Sequence, residues 1–302
     1  MVTPPHVIPY QGSKRKLASI ILGVINFIDI DTLYEPFAGS AAITLAAASS
    51  NMAKHYVIGD KLDSLARLWE MIIYETDNLI EEYTKYWNEQ QKDPIGYYYK
   101  IRDYYNKTQS PSALFYLIAR CVKNSIRFNP SGEFNQSPDK RRLGMYPSKL
   151  REEAKKASLL LRNKTDVISG DFTKTLKKAK QSDLVYLDPP WKGLSDNPRY
   201  AHGLDYQALL DELKRMNSLE IPFILSFDGS CGAKDYEIEF PKELGLLRIP
   251  IDAGRSSQAT LLGRSEITIE SLYLSPVLRD KNQNKYNIKK GKENLKQLKL
   301  LG

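Results

Sequence analysis

At 302 residues with 42% hydrophobic side chains, the chain can bury a sizeable core as one large domain or two ordinary ones, which excludes a disordered or miniature disulfide-stapled protein. Its net charge of +8 is uneven: residues 279–302 hold eight Lys or Arg against Asp280 and Glu293, leaving about +2 elsewhere, so a polyanionic partner and a solvated basic tail are equally good readings. The only cysteines, Cys121 and Cys231, lack the spacing of a metal site or a disulfide framework, so no metal is expected.

The spacing of Leu17, Ile20, Ile21, Val24 and Phe27 predicts a helix over Lys14–Phe27. Thr32–Tyr34 reads as a strand running into the turn Glu35-Pro36-Phe37-Ala38-Gly39-Ser40, followed by an alanine-rich helix over Ala41–Ala48. A second strand, His55–Gly59, ends at Asp60, with a helix from about Ser64 to Ile73. This alternation is the front half of a doubly wound α/β sheet. From residue 76 the pattern turns helical, tyrosine-rich and charged, with Tyr97, Ile101, Tyr104 and Tyr105, then Leu114, Leu117, Ile118, Cys121 and Val122, at the spacing of packed helix faces. Turn formers mixed with aromatic and basic residues over Arg127–Asn135, then Lys140-Arg141-Arg142, predict an exposed loop or hairpin.

Strand patterns return at Thr165–Ile168, Leu184–Leu187 and Phe223–Phe227, and Gly245–Ile251 with Glu266–Leu274 alternate like a closing antiparallel pair. The organisation expected is a sheet domain over 1–75 and 161–278, an insertion over 76–160, and a basic tail over 279–302. The N-terminus lacks the apolar core of a signal peptide and Ala18–Ile28 is too short to span a bilayer, so a cytoplasmic protein without membrane contact is expected.

Asp188-Pro189-Pro190-Trp191 directly follows the apolar strand Leu184–Leu187, where open α/β sheets place their ligands. An Asp carboxylate can accept one hydrogen of an exocyclic aromatic amine, and a rigid Asp-Pro-Pro turn can aim the Pro189 carbonyl at the other, drawing electron density onto nitrogen. Trp191 could stack on an unpaired base. Taken alone, Asp-Pro-Pro more often just ends a strand. Its companions change the balance. The small-residue turn around Gly39 lets backbone N–H groups approach a ligand, and Asp60, 21 residues later, can bind ribose hydroxyls or cap a helix. Tyr10 and Lys14, flanking Gln11-Gly12-Ser13, could pack on a ligand and pair with its carboxylate.

In this order the blocks resemble the Dam-like, D12 class of DNA adenine N6-methyltransferases, over nearly the whole chain to about residue 278. The resemblance implies a Rossmann-like S-adenosylmethionine-dependent methyltransferase sheet with an antiparallel final strand, plus an inserted, mainly helical DNA-recognition subdomain. It implies an enzyme that methylates adenine in duplex DNA from S-adenosyl-L-methionine by base flipping and direct transfer, with Asp188, Pro189, Pro190 and Trp191 catalytic. Tyr10, Lys14, Glu35, Phe37, Gly39, Asp60 and Asp188 are then cofactor-binding, and Asp171 with Phe172 resembles the block lining the cofactor's adenine. Residues 124–135 are similar to the family's DNA-reading hairpin, which makes Arg127, Asn129 and Asn135 candidate DNA contacts. Lys140, Arg141 and Arg142 are candidate phosphate anchors, and Arg255 with Ser256 resembles a further DNA-facing loop. The chain departs from the family in Trp191, where Tyr is common, and in Ser13 and Ala41, where a second Gly is common.

Two other readings stay open: an RNA adenine methyltransferase, since the same chemistry works on an unpaired base, and a non-catalytic DNA-binding module on the same scaffold. Carbon-5 cytosine methylation is disfavoured, because no Cys follows the Pro-Pro turn. A restriction endonuclease sharing the recognition sequence is a compatible partner that need not touch the protein.

Overall fold

The computed structural model describes residues 3–25, 29–190, 204–231, 234–235, 239–255 and 267–281. Trp191, Ser256 and residues 282–302 of the basic tail lie outside them, as does the side chain of Arg255. The core is a mixed sheet built from β1 (Ile30–Glu35), β2 (Ala53–Asp60), β3 (Thr165–Ser169), β4 (Leu184–Leu187), β5 (Phe223–Cys231), β6 (Lys234–Asp235), β7 (Leu247–Arg255) and β8 (Ile267–Leu274). The strand order is β3-β2-β1-β4-β5-β8-β7, with the short β6 beside β5. The first five strands in that order pair in parallel, and β8 and β7 close the sheet antiparallel. This is the Rossmann-like sheet expected, with its antiparallel end.

Period-two alternation divides the strand residues between two cores. Leu33, Tyr56, Ile58, Leu184, Tyr186 and Ile224 face one cluster, and Tyr34, Val57, Val185, Leu187, Phe223 and Leu225 face the other. The first face carries α1 (Ala18–Gly23), α2 (Ala42–Ser49), α3 (Asp63–Tyr74), and the helices between α3 and β3, α4 (Thr76–Glu89), α5 (Pro94–Thr108), α6 (Pro111–Arg120) and α7 (Pro147–Leu161). Ile80, Tyr98, Leu114 and Leu150 join the cluster that includes Ile58 and Leu184, so α4 to α7 and this sheet face share one apolar core. The second face is covered by α8 (Phe172–Leu176) and α9 (Tyr206–Ser218). The last helix among the described residues, α10, spans Pro276–Lys281.

Local signals set the helix starts. Pro94 follows the N-cap Asp93, which accepts from Gly96 N–H, and Pro111 follows the N-cap Ser110, which accepts from Ala113 N–H. Three expectations need correction. The predicted helix from Lys14 begins as a 3-10 turn, Lys14–Lys16, and continues as α1 only to Gly23; Lys14 is drawn inward to carboxylates, which overrides an even helical path. In α5 the buried stripe is Tyr98, Ile101 and Tyr105, while Tyr104 is exposed. Val122 is also exposed, because α6 ends at Arg120 and a 3-10 turn, Val122–Asn124, follows. Among the described residues no helix is long and apolar enough to cross a membrane.

Candidate active site

The chain reverses its direction of winding between β1 and β4, and such switch points leave a crevice beyond the carboxyl ends of the strands. A cavity of about 520 Å³ lies there, within the range of small-molecule sites. Four of the parallel strands supply wall residues where they end: Glu35 and Phe37–Ser40 at the end of β1, Asp60 at the end of β2, Asp171 and Phe172 after β3, and Asp188, Pro189 and Pro190 after β4. The N-terminal loop adds Tyr10 and Lys14, so every cofactor residue expected from the sequence lines this one cavity.

The turn after β1 is held from several sides. Gly39 donates its N–H to Asp60 Oδ2 (3.1 Å), and its carbonyl accepts from Trp69 Nε1 (2.9 Å). Its φ is +49°, and a Cβ there would lie 2.9 Å from the Tyr10 ring, so glycine meets both the backbone and the packing requirement. Ala41, directly before α2, holds φ 45°, in the left-handed region that a non-glycine residue adopts only at a cost. Asp60 does not cap α3: its Oδ1 accepts from Leu62 N–H (2.9 Å) and it ties the two loops together. Glu35 reaches the start of α2, accepting from Ile43 N–H (3.4 Å) and Thr44 N–H (2.7 Å), where unpaired N–H groups attract a carboxylate. Asp171 is the N-cap of α8, accepting from Thr173 N–H, and places Phe172 to stack on Phe37 with centroids 5.2 Å apart.

Burial dominates the electrostatics. It pushes the Asp60 and Asp188 carboxyls up to about 6 and Glu35 up to about 7, in each case against partners that favour the ionised form. Lys14 Nζ lies 2.8 Å from Glu270 Oε2 and 3.3 Å from Asp188 Oδ1. Burial works against its charge, yet these carboxylates hold Lys14 above its ordinary value. Glu270, on β8, was not singled out from the sequence; a lone carboxylate in the alternating run Ile267-Thr268-Ile269-Glu270-Ser271-Leu272 was the available signal. Asn124, Ser125, Ile126 and Phe128, expected in a DNA-reading hairpin, also line the cavity, as do Leu204 and Asp205, which the sequence did not single out.

The expected DNA-contacting residues lie outside the cavity wall. Residues 127–135 form a small hairpin with an antiparallel bridge between Phe128 and Phe134. Asn129 closes its tip: its Oδ1 accepts from Glu133 N–H and its Nδ2 donates to Glu133 Oε2, both at 2.8 Å. Arg127 is half-buried, Asn135 and Lys140 are exposed, and Arg141 and Arg142 pair with Asp139. One backbone bond, Gln11 N–H to the Asn124 carbonyl (3.0 Å), joins this region to the Tyr10–Lys14 loop.

The family model of the D12 class N6 adenine-specific DNA methyltransferases matches residues 10–221. The chain belongs to this family. It is thereby an adenine-specific DNA methyltransferase by descent, and its similar proteins agree. The type II methyltransferase M.FokI of Planomicrobium okeanokoites is 26% identical over 284 residues, covering 87% of this chain but 42% of that protein. The type II methyltransferase M1.LlaDCHI of Lactococcus lactis subsp. cremoris is 26% identical over 278 residues, covering 86% of this chain and 91% of that one. The DNA adenine methylase of Haemophilus influenzae is 27% identical over 194 residues, covering 61% and 65%. Among solved structures, the rRNA methyltransferase aviRa from Streptomyces viridochromogenes aligns over 90% of this chain and 89% of its own, with a TM-score of 0.39 and 11% identity.

Proposed function

We propose that the chain transfers the methyl group of S-adenosylmethionine directly to the exocyclic amino group of adenine in duplex DNA, at a base rotated out of the helix. The observation that carries this reading is the Asp188 carboxylate, at the end of β4, lining the same cavity as Phe37, Gly39, Asp60 and Phe172. The wall suits the cofactor chemically. Five carboxylates (Asp60, Asp171, Asp188, Asp205, Glu270), with Glu35 that burial keeps protonated up to about pH 7, line the cavity with two lysines (Lys14, Lys61), an acidic lining that favours a sulfonium cation, and the position of Gly39 leaves the loop open where a Cβ would meet Tyr10.

When bound, S-adenosylmethionine supplies a methyl group activated by a positively charged sulfur. Asp60, which accepts from Gly39 N–H, would also accept from ribose hydroxyls, and the Phe37–Phe172 ring pair would flank an adenine. An aromatic amine is a poor nucleophile because its lone pair is delocalised into the ring. Asp188 as acceptor for one N–H and the Pro189 carbonyl for the other would favour the pyramidal nitrogen that attacks. Trp191 is proposed to stack on the flipped base. The hairpin residues Arg127, Asn129 and Asn135, the bases Lys140, Arg141 and Arg142, and Arg255 with Ser256 are proposed to meet DNA, with residues 76–160 as the target-recognition insertion. The type II relatives support a role in restriction-modification, beside an endonuclease that reads the same sequence. The test is to incubate the purified protein with methyl-labelled cofactor and duplex DNA and digest the product to nucleosides. Label in N6-methyladenine is expected; label in cytosine, or in RNA alone, contradicts the proposal.

A further inference from the structure

Glu270 belongs to β8, beyond the residues matched by the family model, yet it shares an ammonium with the carboxylate at the centre of the proposed reaction. The three side chains, Lys14, Asp188 and Glu270, are 9%, 21% and 15% exposed, so water does little to screen them. They come from three distant parts of the chain. The fold makes a specific arrangement to deliver Glu270: β5 and β8 shift register between Ser226 and Gly229, and Glu270 pairs with Gly229 at that irregularity. Gly229 has φ +151°, and a Cβ there would collide with the Ile269 carbonyl, so the strands meet this closely only with glycine. Irregularities of this kind re-aim side chains beside active sites.

We propose that Glu270 is a positioning residue for methyl transfer, acting through Lys14: it holds the ammonium so that Asp188 keeps the capacity to accept the substrate's amino hydrogen. The inference rests on the proposed reaction. An ammonium carries three donors and can serve both carboxylates at once. The contact to Glu270 is the shorter, and one cation between two carboxylates leaves a net negative charge facing the cavity. Without the Glu270 charge, Lys14 and Asp188 form a neutral pair, and the ammonium competes with the substrate amine for the Asp188 lone pairs. The other titratable groups coupled to Asp188 are Tyr10 from the N-terminal loop, Glu35 from β1 and Tyr186 from β4. Burial and the Glu270 charge raise Asp188, whereas Lys14 lowers it, so neutralising Glu270 moves Asp188 below its value of about 6.

The experiment compares the full chain with its Glu270→Gln, Lys14→Met and doubly substituted forms. Single-turnover transfer to duplex DNA is followed from pH 5 to 8.5, alongside calorimetric binding of adenosylhomocysteine and the 13C NMR titration of the Asp188 carboxyl in the free protein. Glu270→Gln is expected to lower the plateau rate about tenfold or more, and to move both the acid limb and the NMR midpoint down by about one pH unit, with adenosylhomocysteine affinity within about threefold. In the Lys14→Met background the same substitution adds no further loss, because the two act as one unit. Glu270→Asp restores part of the rate. Equal losses in both backgrounds, or an unmoved NMR midpoint, overturn the proposal. Absence of transfer by the unsubstituted protein would instead reject the proposed reaction, and the NMR titration still judges the Glu270–Lys14–Asp188 link.

Discussion

Gly39 donates its N–H to Asp60, accepts from Trp69 and turns its Cα hydrogen to the Tyr10 ring, so a single methyl group there disturbs several partners. Gly39→Ala forces a non-glycine residue into left-handed backbone and into the ring. It is expected to cost about 1–2 kcal/mol of stability and to weaken adenosylhomocysteine binding about tenfold, read by thermal unfolding and calorimetry. Unchanged binding would remove Gly39 from the cofactor wall. The residues legible in the sequence, Gly39, Asp60 and Asp188, are chemically distinctive residues at strand ends, where position alone gives them meaning. Glu270 was not legible for a physical reason: it meets Lys14 across 256 residues, through a closing strand whose register no local pattern specifies.

At the scale of elements, α2 depends on a carboxylate from β1. Burial holds the proton on Glu35 up to about pH 7, whereas the unfolded chain releases it near its ordinary value of 4.5. Between those values the folded state binds more protons than the unfolded one, so this group's contribution to stability falls as pH rises through the window. Glu35→Gln lacks that titration. The stability of the native protein relative to the variant should therefore fall by up to about 3 kcal/mol between pH 4.5 and 7, as measured by denaturant unfolding at a series of pH values. A constant difference would show that Glu35 is ionised throughout. The strands and most helices follow the sequence periodicity, because apolar alternation and proline or Asp/Ser caps act locally. The first helix does not, because a buried ion pair with residues far along the chain decides the path at Lys14.

Across the whole molecule, an acidic cavity, proposed to take a cationic cofactor, lies beside residues 76–160, whose exposed basic side chains are proposed to meet a polyanion. Lys140 is exposed, and Lys140→Ala is expected to weaken binding to every duplex sequence alike. It should reduce the slope of log affinity against log salt by about 0.9 if one phosphate contact is lost. A loss confined to one base position would assign Lys140 to sequence reading instead. The proposed role of the Asp188 carboxylate, fixed where β4 ends, is activation of the adenine amine. It is tested most directly by single-turnover transfer with Asp188→Ala, with folding verified by thermal unfolding. The rate should fall by at least about a hundredfold while the fold is retained; a folded variant transferring methyl within tenfold of the original rate would contradict it.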